Sequence, residues 1–322
     1  MVKLTDIPGI KIGHAHDLAA PTGCTVILCP EGATGGVDVR GGAPGTRETD
    51  LLNPINYVDK VHAVLLAGGS AFGLDAAAGV MQYLEEQSIG FDVGVTKVPI
   101  VAGAVLFDLT CGSYLVRPDK AMGYAACLAA GTQALSEGSV GAGAGATVGK
   151  VFGLEHAMKG GIGAACLTAG ELMVGAIVAV NCLGDVVNPA DGSIVAGAFQ
   201  QEPFAFLRCE DGMLAKSEQT GSRFAGNTTI GAVVTNAVMT KAQATKVASM
   251  AHNGYARTIR PAHTLFDGDT IFAIGTGQVA ADMNAIGILA ARAVEQAVLR
   301  AVKSAVALAG FTCYRDVAGY TK

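Results

Sequence analysis

The chain has 322 residues, of which 15% are charged and 44 are glycine, and its formal net charge is −5. That charge, without any long Lys/Arg cluster, argues against nucleic acid as a partner, and every apolar run meets a Gly or a polar residue before it could span a bilayer. The opening residues 1–9, MVKLTDIPG, lack the apolar core of a signal peptide, so the sequence reads as that of a soluble, cytoplasmic protein.

Charge well below the usual quarter and glycine at about twice its usual share imply a chain that buries much of its surface, subunit contacts included. Its length fits one large layered domain or two fused halves, and nothing reads as a linker. The eight cysteines stand singly, as at Cys127 and Cys166, without CxxC pairs, which fits buried reduced thiols. Cys24 and Cys29 have no His pair to complete a zinc set, and no metal is expected.

In chain order, the first clear strand is Cys24-Thr25-Val26-Ile27-Leu28-Cys29. The glycine-rich stretch 35–49 has two readings. It is either a solvated loop, with Arg40 and Arg47 paired to Asp38 and Glu48, or a pocket wall whose glycines let backbone approach a ligand. Residues 61–67 read as a buried strand that Gly68-Gly69-Ser70 turns into a helix over residues 71–87. Phe72 stands where a nucleophile elbow needs Gly, so Ser70 reads as a helix cap, with neighbouring N–H groups free to face a ligand.

A second helix is expected over residues 119–136. The segment 141–150, GAGAGATVGK, fails as a Walker A loop because Ala144 and Val151 stand where Gly and Ser/Thr are required. Lys150 is then a charge amid small apolar residues, either snorkelling to the surface or placed for function. A strand over 171–180 runs into Asn181. Residues 209–225 read as polar and irregular. Later come a helix over 241–253, started by Thr240 and stopped by Gly254, a strand over 270–274, and an amphipathic helical segment over 279–309 that Gly287 could break.

The decisive stretch is Gly226-Asn227-Thr228-Thr229-Ile230-Gly231. There a polar segment gives way to a β-branched run, so a strand begins at Thr228. It is either an ordinary loop-to-strand boundary or a site of self-cleavage. Breaking the bond between Asn227 and Thr228 would leave Thr228 with a nucleophilic hydroxyl and a free α-amine, whose pKa of about 7.7–8.0 suits it to take the hydroxyl proton.

Several separated segments resolve these alternatives together: residues 41–49 (GGAPGTRET), 66–74 (LAGGSAFGL), 145–150 (GATVGK), Val180-Asn181, 226–230 (GNTTI) and Asp267-Gly268-Asp269. In this order they resemble the DmpA-type aminopeptidases, the family of L-aminopeptidase D-amidase/esterases, β-aminopeptidases and nylon-oligomer hydrolases. The resemblance covers nearly the whole chain. It implies an α+β fold, the αββα sandwich of DmpA/ornithine-acetyltransferase type, cleaved into residues 1–227 and 228–322 that stay together and assemble as a homotetramer of such pairs. It implies no cofactor and a small peptide, amino-acid amide or ω-amino-acid oligomer as substrate.

By the same resemblance Thr228 is the nucleophile, with Lys150, Asn181, Asp267 and Asp269 completing the catalytic set. Arg40, Gly68, Gly69, Ser70 and Phe107 are candidate pocket residues. Physically, the Asn181 amide can donate to an oxyanion, and Lys150 would favour the neutral α-amine. Asp267 and Asp269, two apart at a strand entrance, can share a face, or simply form a tight turn. Phe107 replaces a tyrosine found in a number of relatives and cannot donate a hydroxyl. The rival readings are an acyltransferase using the same threonine and an uncleaved binding protein.

Overall fold

The computed structural model describes residues 2–215 and 226–319. Nine strands form a continuous hydrogen-bonded sheet: β1 (Lys11–Asp17), β2 (Thr22–Val39), β3 (Thr46–Arg47), β4 (Lys60–Ala67), β5 (Val101–Val105), β6 (Gly161–Ala169), β7 (Leu172–Asn181), β8 (Thr228–Ala237) and β9 (Thr270–Val279). The order across it is β6-β7-β8-β9-β2-β4-β5-β3, with β1 paired to β2. The β8–β9 and β4–β5 pairs are parallel; the others are antiparallel.

The 18-residue β2 is what turns one sheet into two layers. Its first half pairs with β1 and β4, its second half pairs with β9, and the register with β4 shifts between Leu28 and Ala33. Gly32 in that interval has φ +73°. Because side chains alternate across a strand, each half-sheet then has an inner and an outer apolar face. Ile27, Val64, Leu66 and Ala104 meet Ile177, Ile230, Val234 and Phe272 in the layer between the halves. Cys24, Val26, Leu65 and Val101 pack outward on α1 (Ala76–Glu86) and α2 (Lys120–Leu128).

On the opposite side, Val174, Val178, Val233 and Ile271 pack outward on two longer helices. With the short α3 (Cys209–Ala215) counted in chain order, these are α4 (Lys241–Thr258) and α5 (Met283–Ser304). The layers therefore run helix, sheet, sheet, helix, as the αββα expectation requires.

Several expected boundaries move. The helix expected over 119–136 starts on the Asp119 cap but ends at Leu128, because Gly131 and Ile12 exchange backbone N–H···O bonds of 3.1 Å and draw the chain to the edge of β1. Gly254 does not stop α4, and Gly287 does not break α5. Both sit where helices close on one another: a Cβ on Gly254 would lie 2.6 Å from the Ala291 carbonyl oxygen, and one on Gly287 2.4 Å from Met250 Sδ. Tertiary contact here overrides the local propensity of glycine. The segment 209–225 opens with α3 instead of irregular chain, and residues 216–225 lie outside the described residues. The strand expected over 270–274 continues to Val279, and α5 starts only at Met283, where the Asp282 carboxylate caps the Ala285 N–H.

Among the described residues no helix is long and apolar enough to cross a membrane. The packing of α5 on β6 gives a stability test. A Cβ on Gly163 would lie 2.3 Å from the Ala297 carbonyl oxygen and 2.4 Å from the Ala301 nitrogen. Gly163→Ala is expected to cost about 1–3 kcal/mol by overpacking, read as a lower Tm in thermal denaturation.

Candidate active site

Thr228 is the first residue of β8, where antiparallel pairing puts it opposite Asn181, the last residue of β7. On the other side β8 runs parallel to β9, and the ladder extends back through a bridge between Asn227 and Asp267. The sheet thus brings together three segments distant in sequence. Thr228, Asn181, Lys150, Asp267 and Asp269 are all at most 5% exposed.

The Lys150 ammonium donates to the Asn181 carbonyl (3.0 Å), to Asn181 Oδ1 (3.0 Å) and to the Gly226 carbonyl (3.3 Å). It does not snorkel; burial brings its pKa down to about 8, against the pull of Cys182 and Asp267. The Asn181 amide Nδ2 donates to the Phe107 carbonyl (2.9 Å) and to the Gly226 carbonyl (3.4 Å), while its Oδ1 also accepts from the Thr147 N–H (2.9 Å). Lys150 and Asn181 therefore both grip the carbonyl that precedes Asn227. One residue on, the Thr228 hydroxyl is in contact with the Asn227 carbonyl oxygen.

Two glycines make this approach possible. A Cβ on Gly226 would overlap the Phe107 ring at 1.9 Å, and one on Gly268 would lie 2.7 Å from Thr228 Oγ1. Gly268 therefore sets Asp267 and Asp269 on either side of a backbone that packs against the threonine side chain. Asp269 Oδ1 accepts from the Thr229 N–H (2.7 Å), and its Oδ2 accepts from the backbone N–H (3.0 Å) and Nδ1 (2.8 Å) of His263. Asp267 Oδ2 accepts from the Thr264 N–H (3.0 Å) and hydroxyl (2.6 Å), whereas Oδ1 is buried without a partner among the described residues. Burial first, and the Asp269 charge second, push the Asp267 carboxyl up to about 6.

A cavity of about 110 Å³ reaches Thr228, walled by Ala43, Pro44, Gly45, Ser70, Ala71, Val105, Leu106, Phe107 and Phe266 together with Gly226 and Asn227. Of the candidate pocket residues, Ser70 and Phe107 line it. Gly68 and Gly69 instead seat on Asp108, whose Oδ1 accepts from the Gly69 N–H at 2.6 Å. Ser70 makes no side-chain cap bond and opens a 3₁₀ turn (Ser70–Asp75) ahead of α1, which corrects both the cap and the start of the helix. Arg40 is held away at Asp38 (2.9 Å) and at the carbonyl and hydroxyl of Ser249 (2.8 Å each), as the solvated-loop reading has it. Arg47 lies 3.0 Å from Met81 Sδ rather than on Glu48. The close approach of Gly41 is to chain and not to ligand: its Cβ would lie 2.3 Å from the Asp267 carbonyl oxygen. A larger cavity of about 660 Å³, lined in part by Lys60, His62 and Asp92, includes none of these candidate residues.

Sequence reasoning missed His263, Thr264 and Thr147, whose roles depend on long-range pairing. Only Thr264, three residues before Asp267, carried a local signal, since Ser and Thr hydroxyls bond nearby chain at such spacings.

The model of peptidase family S58 matches residues 3–315. The chain belongs to peptidase family S58. An uncharacterised aminopeptidase of Mycobacterium tuberculosis is 42% identical over 346 aligned positions, covering 98% of both chains. A 6-aminohexanoate-oligomer endohydrolase of Kocuria sp. is 35% identical, over 92% of this chain and 85% of its own. The solved L-aminopeptidase D-Ala-esterase/amidase of Ochrobactrum anthropi, a variant of the Ntn-hydrolase fold, superposes with a TM-score of 0.71 over 94% of this chain and 86% of its own at 17% identity, a likeness of fold. The S58 chain is thus an amide-hydrolysing enzyme of the DmpA type, with the fold that the resemblance implied.

The Asp267 environment yields a pH test. The unfolded carboxyl ionises near 3.8 and the folded one near 6, so the native S58 chain binds the extra proton between those values and loses stability as pH rises through them. Asp267→Asn removes that loss. Its stability is expected to match the wild type near pH 4 and to exceed it above pH 6 by on the order of 1 kcal/mol or more, read as a higher Tm.

Proposed function

We propose that this S58 enzyme is a self-processing amide hydrolase whose nucleophile is Thr228. The observation that carries the reading is the contact of the Thr228 hydroxyl with the Asn227 carbonyl, beside a Gly226 carbonyl gripped by Lys150 and Asn181. The hydroxyl oxygen attacks the Asn227 carbonyl carbon and the C–N bond breaks, which converts the peptide to an ester on Thr228 Oγ1 and leaves its nitrogen as an amine. Water then hydrolyses the ester, giving an Asn227 carboxylate and a free hydroxyl.

The freed α-amine takes the Thr228 hydroxyl proton as the oxygen attacks a substrate amide. The proton passes to the leaving amine, an acyl-enzyme ester remains, and water completes the hydrolysis. Once the Gly226 carbonyl withdraws, Lys150 Nζ and Asn181 Nδ2 become donors for the oxyanion. Positive potential from Lys150 favours the neutral amine, while Asp269, one peptide unit away on the Thr229 N–H, opposes it.

The cavity is narrow beside the roughly 300–1,000 Å³ of drug-sized ligand sites, and its walls at Pro44, Val105, Leu106, Phe107 and Phe266 are apolar. That shape favours a short, slender acyl group, and with the nylon-oligomer endohydrolase among the relatives it supports small peptides or linear ω-amino-acid oligomers as substrates. Assembly as a cytoplasmic homotetramer of processed pairs belongs to the same reading.

Thr228→Ala is expected to fold with wild-type Tm, remain one chain and lose turnover by on the order of 10⁴-fold or more. Thr228→Ser keeps a hydroxyl and should retain both cleavage and measurable turnover. The check is hydrolysis of a panel of dipeptides, amino-acid amides and 6-aminohexanoate oligomers. An active, folded Thr228→Ala protein would exclude the threonine as nucleophile, and preferential acyl transfer to added amines would replace hydrolysis by acyltransferase chemistry.

A further inference from the structure

Behind Asp269, on the side away from Thr228, lies a cluster of rings that the reaction above does not use. His252 and Tyr255 of α4 and His263 of the following loop have centroids 4.8 to 6.2 Å apart. His252 and Tyr255 are fully buried, and the His263 side chain is 19% exposed. His252 Nε2 lies 3.0 Å from the Asp38 carbonyl, an oxygen that can only accept, so this nitrogen carries the proton. Burial lowers the His252 pKa to about 4 and keeps that ring neutral. Its edge-on contact with His263, 4.8 Å between centroids at 71°, limits the positions open to the second imidazole.

We propose that His263 is a positioning residue for the reaction, acting through Asp269. Oδ2 of the carboxylate accepts both donors of His263, and Oδ1 accepts the N–H of Thr229, the residue that follows the nucleophile. The imidazole Nδ1–H therefore fixes the carboxylate plane, and the carboxylate fixes the peptide that joins Thr228 to Thr229. After cleavage that peptide is the covalent link between the new N-terminus and the rest of β8. A hydroxyl and an amine on a freely turning terminus would lose the alignment on which intramolecular rate gains depend. The backbone pays for this placement with a left-handed conformation at His263, φ +59°, which His and Asn adopt more readily than most residues.

This inference rests on Thr228 being the self-generated N-terminal nucleophile, and two substitutions test it. Asn and Gly both tolerate the left-handed backbone and both keep the backbone N–H bond to Oδ2. Asn also places an amide N–H near the position of Nδ1, whereas Gly supplies nothing there. His263→Gly is expected to slow both self-cleavage, followed on denaturing gels, and kcat of the matured protein by about tenfold or more, as loss of a bond to a charged group implies. KM should change little, because the ring is not among the residues that line the cavity at Thr228. His263→Asn is expected to stay within about threefold of wild type in kcat, a rescue that depends on the restored donor.

Tm measured alongside separates a fold defect from a positioning defect, since kcat is taken per matured molecule. A matured His263→Gly enzyme with wild-type kcat overturns the inference. So does an Asn variant as slow in cleavage and turnover as the Gly variant, including the case in which neither matures. A wild-type protein that neither cleaves itself nor turns over any amide in the panel overturns the nucleophile assignment and this inference together. Wild-type activity with an unaffected Gly variant overturns this inference alone.

Discussion

A buried ammonium whose hydrogen bonds, among the described residues, all go to neutral oxygens is the constraint around which the site is built. Lys150 Nζ has the Asn181 carbonyl, the Asn181 side-chain oxygen and the Gly226 carbonyl as acceptors. Among the described residues no carboxylate takes a direct bond from it, and desolvation brings its pKa down to about 8. To satisfy this cation, the end of β7 and the chain just before β8 must meet at one point. That meeting fixes where the peptide preceding Thr228 runs, and it sets a positive charge beside the bond proposed to break. Asp267, pushed up to about 6, answers the same charge from the β9 side.

These buried groups oppose stability, and the layers around them compensate. Two helix layers and the apolar sheet-to-sheet layer surround the strand ends that carry the polar set. Buried polar groups gather at those ends, as expected where function competes with stability. The high glycine share has a local explanation here. At Gly226, Gly268 and Gly41 backbone comes so close to a ring, a hydroxyl or a carbonyl that a Cβ would overlap it. Glycine is needed there for proximity more than for conformational freedom.

Much of this arrangement was legible in the sequence, for reasons that differ from residue to residue. β4, β7 and β8 showed themselves because continuous apolar or β-branched runs leave few alternatives to a buried strand. The start of α4 followed from the Thr240 cap, which the structure pairs with Gln243. Its end did not, because Gly254 lies against α5, a contact that local sequence does not carry. Lys150, Asn181, Asp267 and Asp269 were found through a motif order shared with a family, and the structure brings them to Thr228. Arg40 was drawn into the pocket by the glycines beside it, yet its charge is satisfied by Asp38 and Ser249. His263 had no signal, since its partner Asp269 is six residues away in a loop whose path only tertiary packing defines.

The most direct measurement is the denatured mass of the purified protein together with the N-terminal sequence of each species. Self-cleavage before Thr228 predicts two fragments, residues 1–227 and 228–322, the smaller beginning Thr-Thr-Ile-Gly. A single species of 32.4 kDa in protein that hydrolyses amides would contradict it.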